Sequence, residues 1–180
     1  KKIKNGEIPE EWEKPENKSK LAQKDTDADW TKKNGERHFG YKDHVKCDAD
    51  SKLITNYSVT SASVHDSQRC LVFIGQEDEV LYADSAYSGK PIALALPENC
   101  KNQICEKGYR NSPLTSEQKM NNRRKSRIRC RIEHIFVFMT GAMHGITIRS
   151  IGITRAWMNI GITNLVYNFC RYSYLKRASA

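Results

Sequence analysis

The sequence lacks three features that would place it in a well-defined class of protein. It has no apolar run approaching the ~20 residues that cross a bilayer, and no short apolar stretch follows its basic start. It therefore predicts neither a membrane span nor a signal peptide. Its six cysteines include no C-x-x-C pair, which argues against a disulfide framework and a zinc site. Scattered cysteines of this kind favour reduced thiols and a cytoplasmic protein.

Acidic residues are scarce in the second part of the chain. Residues 1–100 hold 15 Lys and Arg against 18 Asp and Glu, whereas residues 101–180 hold 15 against only 3. The two parts carry −3 and +12, which gives the +9 of the whole 180-residue chain. A basic half beside a slightly acidic half is typical of a protein that binds a polyanion such as nucleic acid. A solvated basic face without a partner is the alternative interpretation.

The first half of the chain predicts a polar segment and then strands. Residues 1–35 show no apolar period, so we interpret them as a polar loop or linker and place a single domain over 36–180. The runs 37–48 and 52–63 are rich in β-branched and aromatic residues and are separated by "ADS", which predicts a β-hairpin. After a short helix at 65–75, the apolar run "EVLYAD" predicts a buried parallel strand.

The second half predicts mainly helices. Pro91 in "SGKPIALALPEN" suits the first turn of a helix, and "NQICEK" is a weak strand. Thr115 and Gln118 form a capping-box pattern at the start of a long helix that Gly145 ends. A last helix follows from Ile153, with an apolar stripe that we expect to cover a sheet: Met158, Ile162, Leu165, Val166 and Phe169. Strands followed by long helices predict an α/β fold.

Two carboxylates stand out by position. Asp84 directly follows the predicted parallel strand, where open α/β sheets present ligand groups; its alternative role is to cap the turn "SAYSG". Glu133 lies in the Arg-rich helical stretch "RIRCRIEHIF", on the same face as Arg129. Its alternative role is an ordinary ion pair with that arginine.

Two such acids suit a particular chemistry. Transfer at a phosphodiester uses divalent ions that clamp the attacking and leaving oxygens, and Mg²⁺ prefers oxygen ligands. A basic helix beside the acids would neutralise a phosphate backbone without reading its sequence. Asp84 and Glu133 are therefore candidate ligands of Mg²⁺ or Mn²⁺, while their alternative roles as a turn cap and an ion-pair partner stay open. The predicted DNA contacts are Lys42, Arg124, Lys125, Arg127, Arg129 and Arg131.

Three blocks of sequence carry a family resemblance. In order, they are "ADWTKKNGERHFGYKDHVKCDADSKLITNYSVTSASVHDSQ", "YADSAYSG" and "RIRCRIEHIF". Together they resemble the C-terminal part of a bacterial insertion-sequence transposase, in the branch of the DDE superfamily named after insertion sequence five. On this resemblance Asp84 matches the family's second catalytic aspartate, Glu133 its glutamate and Arg129 the arginine four places earlier. The resemblance also implies a ribonuclease-H-like mixed sheet flanked by helices, two Mg²⁺ ions, DNA ends and target DNA as partners, and a homodimer.

The sequence departs from the family in two places. Thr140 stands where the family usually has a basic residue, seven places after the glutamate. The first catalytic aspartate of the family ends an apolar strand ahead of Trp30, and residues 1–24 contain no such run. Asp25, Asp27 and Asp29 lie in a polar stretch and are poor substitutes. We therefore expect a ribonuclease-H-like domain that lacks its first strand and is inactive in strand cleavage.

Other polar residues receive a more ordinary interpretation. Asp66, in "SVHDSQ", is placed where it would cap the following helix, although a role near the site is the alternative. Lys42 and His44 alternate with Tyr41 and Val45, so the two pairs face opposite sides of one strand. Two further functions remain open at this point: a nucleic-acid-binding remnant without catalysis, and a metal-dependent nuclease of similar fold.

Overall fold

The computed structural model describes residues 9–33, 35–145 and 147–179. Near the N-terminus lie α1 (Glu10–Glu13), a 3₁₀ turn (Pro15–Asn17), α2 (Lys18–Ala22) and β1 (Asp29–Lys33). The expectation of a loop is therefore wrong for much of 9–33, because short helices form there and β1 joins a sheet. The domain boundary near residue 35 stays a prediction.

The rest of the chain alternates strands and helices before three long helices. The elements are β2 (Glu36–Cys47), β3 (Ile54–Ser61), α3 (Ser67–Phe73), β4 (Val80–Leu81), a 3₁₀ turn (Ser85–Tyr87), α4 (Lys90–Ala95), β5 (Lys101–Asn102), α5 (Ser116–Arg129), α6 (Arg131–Gly141) and α7 (Ile153–Ala178). The chain is thus mixed α/β, as the sequence predicts. None of the described helices combines the length and apolarity that crossing a bilayer requires.

The predicted hairpin is confirmed and forms the larger sheet. β2 and β3 are antiparallel, with Tyr41 opposite Ser61 and Val45 opposite Tyr57. Asp48 orders the turn because its Oδ1 accepts hydrogen bonds from the amide and hydroxyl of Ser51, at 2.6 and 2.5 Å. β1 extends this sheet by pairing antiparallel with the start of β2.

The predicted parallel strand is also confirmed. β4 pairs in parallel with β5, and evenly spaced hydrogen bonds extend the pairing from Glu79 to Ala83: Lys101 N donates to Glu79 O, Gln103 N to Leu81 O and Cys105 N to Ala83 O, at 2.9 to 3.0 Å. This ladder fixes the backbone up to the residue immediately before Asp84.

The described strands form two sheets that share no ladder. Such an arrangement fits a mixed sheet without the strand that would join its halves. A side chain connects the two parts instead: Lys46 Nζ, on β2, lies 2.6 Å from the carboxylate of Asp78, just before β4, and donates to Phe73 O at 2.9 Å.

The main core lies between the hairpin and the last helices. Ile135 and Met139 of α6 are fully buried against Ile54 and Tyr167. A second core cluster, of Cys70, Ala83, Ile92 and Ile104, holds β4 against α3 and α4.

The long predicted helix is confirmed at its start but interrupted in the middle. Thr115 and Gln118 form the reciprocal capping box. The helix is broken at Cys130, where ψ is −9° and Glu133 N bonds to Cys130 O, so α5 ends and α6 begins. Neither proline nor glycine marks this break in the sequence.

The face that α7 buries differs from the expectation. Ala156, Ile160, Asn164 and Tyr167 are buried against the sheet, whereas the predicted stripe (Met158, Ile162, Leu165, Val166 and Phe169) is exposed. The expectation was wrong because α7 has apolar residues on opposite sides. Periodicity alone cannot say which side meets the sheet.

Candidate active site

Asp84 lies half-buried at the carboxyl end of β4. Its Oδ1 accepts the amide of Ala86 at 2.7 Å and so caps the 3₁₀ turn that follows. The turn role weighed against the site role is therefore realised, but it uses only one carboxylate oxygen. Among the described residues, the structure assigns no hydrogen bond to the other oxygen, Oδ2, so it is available to a ligand.

Tyr87 lies within electrostatic range of several charged side chains. Burial raises the pKa of its phenol, and the negative charges of Asp66 and Asp84 raise it further. The positive charge of Arg129 acts in the opposite direction on the same pKa. Groups from three separated parts of the chain, after β4, before α3 and at the end of α5, thus lie within electrostatic range of one phenol.

Glu133 connects to this cluster through Arg129. Arg129 Nη2 lies 3.0 Å from Glu133 Oε1, one helical turn away across the break at Cys130. Glu133 is also in the first turn of α6, where the helix dipole favours a negative charge. The ion pair predicted as the alternative role is present. Because the Glu133 side chain is 59% exposed, however, the pair leaves it open to solvent and ligands.

Asp66 contacts β2 and does not cap α3 as the sequence predicts. It makes no side-chain capping bond to α3, so the capping expectation was wrong. Its Oδ1 instead lies 3.4 Å from His44 Nδ1 and 3.5 Å from Lys42 Nζ, both on β2. The signal available in the sequence was the alternation of Lys42 and His44 on one face of a predicted strand.

His44 is held neutral by its surroundings. The residue is buried and its Nε2 shares a 2.7 Å hydrogen bond with the hydroxyl of Thr60. Burial lowers the pKa of His44; Asp66 opposes this, and Lys42 and Arg69 add to it. A neutral imidazole between Thr60 and Asp66 therefore supports the position of Asp66 near Tyr87.

The six predicted DNA contacts fall into two groups. Four are engaged within the chain: Lys42 donates to Val64 O, Lys125 to Ile104 O, Arg131 to Ala49 O and Asp50, and Arg129 pairs with Glu133. Arg124 and Arg127 are exposed on α5, and the side chain of neither makes an ion pair or hydrogen bond to any residue that the structure describes.

The acidic side chains near Tyr87 offer the donor atoms that a divalent metal ion requires. The carboxylates of Asp84, Glu133 and Asp66 supply the oxygen atoms that Mg²⁺ and Mn²⁺ accept. Across residues 9–33, 35–145 and 147–179, however, no group of three or more Asp, Glu, His or Cys is close enough to enclose an ion. The donor chemistry fits, whereas the set is incomplete.

The acids near Trp30 have a different role, as expected. Asp25 Oδ2 accepts the amide of Gly152 at 3.2 Å, and Asp27 Oδ2 accepts that of Ile153 at 2.9 Å. These amides belong to the start of α7, which leaves its first N–H groups without helical partners. Asp25 and Asp27 thus anchor the N-terminus of α7.

Comparison of the chain with known proteins identifies its family. Residues 11–169 match the family described as the transposase DDE domain. The chain therefore belongs to the insertion-sequence DDE transposases, and the resemblance noted in the sequence is confirmed.

A curated relative is the transposase for insertion sequence element IS1106 of Neisseria meningitidis serogroup B. It is 32% identical to this chain over 124 residues, which cover 67% of the chain and 41% of the relative. The chain thus corresponds to less than half the length of that protein. No solved structure matches the chain significantly.

Proposed function

We propose that this chain forms part of the catalytic domain of a transposase that cleaves the DNA ends of an insertion sequence and joins them to target DNA. The proposal is supported by Asp66, Asp84 and Arg129 lying within electrostatic range of Tyr87 and by the pairing of Arg129 with Glu133, in a chain that belongs to the DDE transposases. The site of action would be the nucleoid, in the cytoplasm.

Asp84 and Glu133 are the proposed catalytic residues and would hold Mg²⁺ or Mn²⁺. When bound, the metal would supply Lewis-acid stabilisation of the oxygens that attack and leave the phosphorus. Asp84 suits this role because the ladder up to Ala83 and the bond to Ala86 fix its backbone while leaving Oδ2 available. Arg129 would orient Glu133 and contact a phosphate through its remaining guanidinium donors.

The exposed side of α5 is the proposed path for the DNA backbone. Lys119, Arg123 and Arg127 recur every four residues on this exposed face, with Arg124 beside them. Their charges are not neutralised by acids of the described chain, so they remain available to phosphates. Lys42, Lys125 and Arg131 would act mainly by holding the elements of the site in place.

We also propose that these 180 residues alone do not cleave DNA. The described residues contain no group of three acidic, histidine or cysteine side chains that could hold an ion, and no described strand pairs with both β2 and β4. The missing ligand would come from polypeptide outside this sequence. Two DNA ends would be handled by a homodimer.

DNA binding provides the first test. The binding of a duplex is measured by fluorescence anisotropy at several salt concentrations, for the wild type, Arg124→Gln/Arg127→Gln and the matched control Arg131→Gln. The double variant should lower the salt slope by about 2, because each phosphate contact contributes about 1. Arg131→Gln should leave the slope unchanged. Equal slopes in all three proteins would remove α5 from the DNA path.

Strand cleavage provides the second test. The chain is incubated with labelled insertion-sequence ends and Mg²⁺ or Mn²⁺, and the products are separated on denaturing gels. We expect DNA to be bound but not cut. Nicking that disappears in Asp84→Asn and Glu133→Gln would contradict the proposed incompleteness while supporting both residues. Nicking that persists in both variants would contradict their assignment.

A further inference from the structure

The outer face of α7 is apolar, and no residue that the structure describes covers it. Met158, Ile162, Leu165, Phe169 and Tyr172, which we call the α7 seam, are each between 53% and 65% exposed. Soluble monomers rarely expose one continuous apolar patch of several hundred Å². The seam therefore differs from the scattered apolar residues found on any protein surface.

The spacing of the seam selects a helical partner. Its members are separated alternately by four and three residues, which gives the 3.5-residue repeat of helices that pair lengthwise. At ~100° per residue, the seam points about 165° away from Ala156, Ile160, Asn164 and Tyr167, the residues that α7 buries against its own sheet. One face of α7 thus packs within the described fold, and the opposite face, which no described residue covers, can pack against another helix.

The charge pattern favours an uncharged partner surface. Residues 156–170 contain no Asp, Glu, Lys, Arg or His, and the flanking charges of α7 are Arg155, Arg171, Lys176 and Arg177. Aromatic side chains bury roughly 150–250 Å² each when fully covered, and aliphatic ones bury less, so the half-exposed seam offers on the order of 500 Å² per chain. A standard interface buries about 800 Å² per partner, so lengthwise pairing over the seam and its flanks reaches the necessary range.

We propose that the α7 seam binds the same seam of a second copy of this chain, with the two α7 helices antiparallel about Leu165. Leu165 is the midpoint of the seam, so a twofold axis there places Met158 beside Tyr172 of the other copy. Arg155 and Arg171 would then meet Leu175 and Asn159 of the other copy, whereas parallel pairing would bring each arginine against its counterpart. Antiparallel helix dipoles also attract.

A cavity at one end of the seam fits this arrangement. Tyr57, Ile153, Thr154, Trp157 and Met158 enclose a shallow apolar space of about 400 Å³. In the antiparallel arrangement the ring of Tyr172 from the second copy reaches this space. The proposal specifies the surface of the homodimer suggested above, but it rests on α7 alone and would stand if the proposed cleavage chemistry failed.

The oligomeric state tests the proposal. The protein is examined by analytical ultracentrifugation over a concentration series, with Ile162→Glu as the seam variant and Leu94→Glu, an 85% exposed leucine on α4, as the matched control. We expect a wild-type dimer, a dissociation constant raised at least about 100-fold by Ile162→Glu, and no change in Leu94→Glu. Circular dichroism and thermal melting show whether each variant remains folded. If Ile162→Glu unfolds, Phe169→Glu replaces it.

Cross-linking then tests the orientation. In a Cys170→Ser background, Leu165→Cys should form a disulfide-linked dimer on oxidation. Met158→Cys should cross-link with Tyr172→Cys when the two proteins are mixed, and not with itself. A monomeric wild type at high micromolar concentration, a dimer that Ile162→Glu leaves intact, or self-cross-linking of Met158→Cys would each overturn the proposal. None of these outcomes depends on DNA cleavage.

Discussion

Replacing Asp43 with asparagine should stabilise the protein at neutral pH. Asp43 lies on β2 against α7, where Asn164 Nδ2 donates to its Oδ1 at 3.3 Å. Asp43 Oδ2 and Asn164 Oδ1 are both buried, and neither has a hydrogen-bond partner among the residues that the structure describes. One proton on Asp43 would satisfy both atoms, because the acid could donate to the amide oxygen while it accepts from the amide nitrogen.

The magnitude follows from the pKa of Asp43. Burial raises this pKa from 3.8 to about 6, and the hydrogen bond from Asn164 opposes the change only in part. Because the folded state prefers the protonated acid, the associated stability is complete below pH 4 and is lost as pH rises through 6. With about 1.4 kcal/mol per pKa unit, ionised Asp43 costs about 3 kcal/mol above pH 6. An asparagine keeps both hydrogen bonds at every pH.

Urea unfolding at pH 4, 6 and 8 measures the effect. Asp43→Asn should match the wild type at pH 4 and exceed its free energy of unfolding by about 2–3 kcal/mol at pH 8. Asp48→Asn is the control of opposite sign, because hydrogen bonds from Ser51 lower the pKa of Asp48, and its ionised form therefore stabilises the fold above pH 4. A gain for Asp43→Asn that is absent at pH 8, or equal at all three pH values, would refute the reasoning.

Three further changes test other contacts by urea unfolding. Asn168→Ala should lower the free energy of unfolding by about 2–3 kcal/mol, since it leaves the N–H and C=O of Ile54 without the two 2.8 Å hydrogen bonds that Asn168 makes. Asn168→Asp keeps only the acceptor, so its stability should fall between those of Asn168→Ala and the wild type. Equal losses in the two variants would exclude this explanation. A double-mutant cycle with Lys46→Met and Asp78→Asn should give a coupling energy of about 1–2 kcal/mol, because this half-buried ion pair joins the two sheets. A coupling energy near zero would show that the ion pair does not hold the sheets together. The lowered pKa of His44 means that the unfolded chain takes up a proton below pH ~6.5 before the folded chain does, so the wild type loses stability there. His44→Gln should remove this loss. An unchanged dependence of the free energy of unfolding on pH would contradict the explanation.

Local patterns predicted much of the fold. The alternation in β2 and β3, the apolar run before Asp84 and the capping box at Thr115 are each complete within about a dozen residues, so their signals survive in the sequence. The break at Cys130 was missed because the residues around it are all compatible with a continuous helix. The buried face of α7 was missed because both of its faces are apolar, and only the rest of the fold chooses between them.

The candidate site was less accessible to prediction, because its contacts connect distant parts of the chain. Asp84 and Glu133 were selected by their places after a strand and beside Arg129. Asp66 was assigned to capping because a local pattern existed for that role, whereas the alternation in β2 placed Lys42 and His44 on one face without indicating that Asp66 contacts them. The partners of Asp25 and Asp27 lie more than 120 residues away, at the start of α7. Their anchoring role could not have been found from sequence neighbours.

The ion pair of Glu133 does not weigh against its proposed role as a metal ligand. With side chains 29% and 59% exposed, Arg129 and Glu133 form a surface pair, and such pairs contribute about 0.2–1 kcal/mol. If a divalent ion replaced the guanidinium at Glu133, the loss of the ion pair would weaken metal binding by less than tenfold, since 1.4 kcal/mol corresponds to a factor of ten. The lack of any three-acid group among the described residues is the larger obstacle, because an Mg²⁺ ion held by one or two carboxylates must take its remaining ligands from water and phosphate. The completeness of the acid set, and not the pairing of Glu133, therefore decides whether this chain can act on DNA without additional polypeptide.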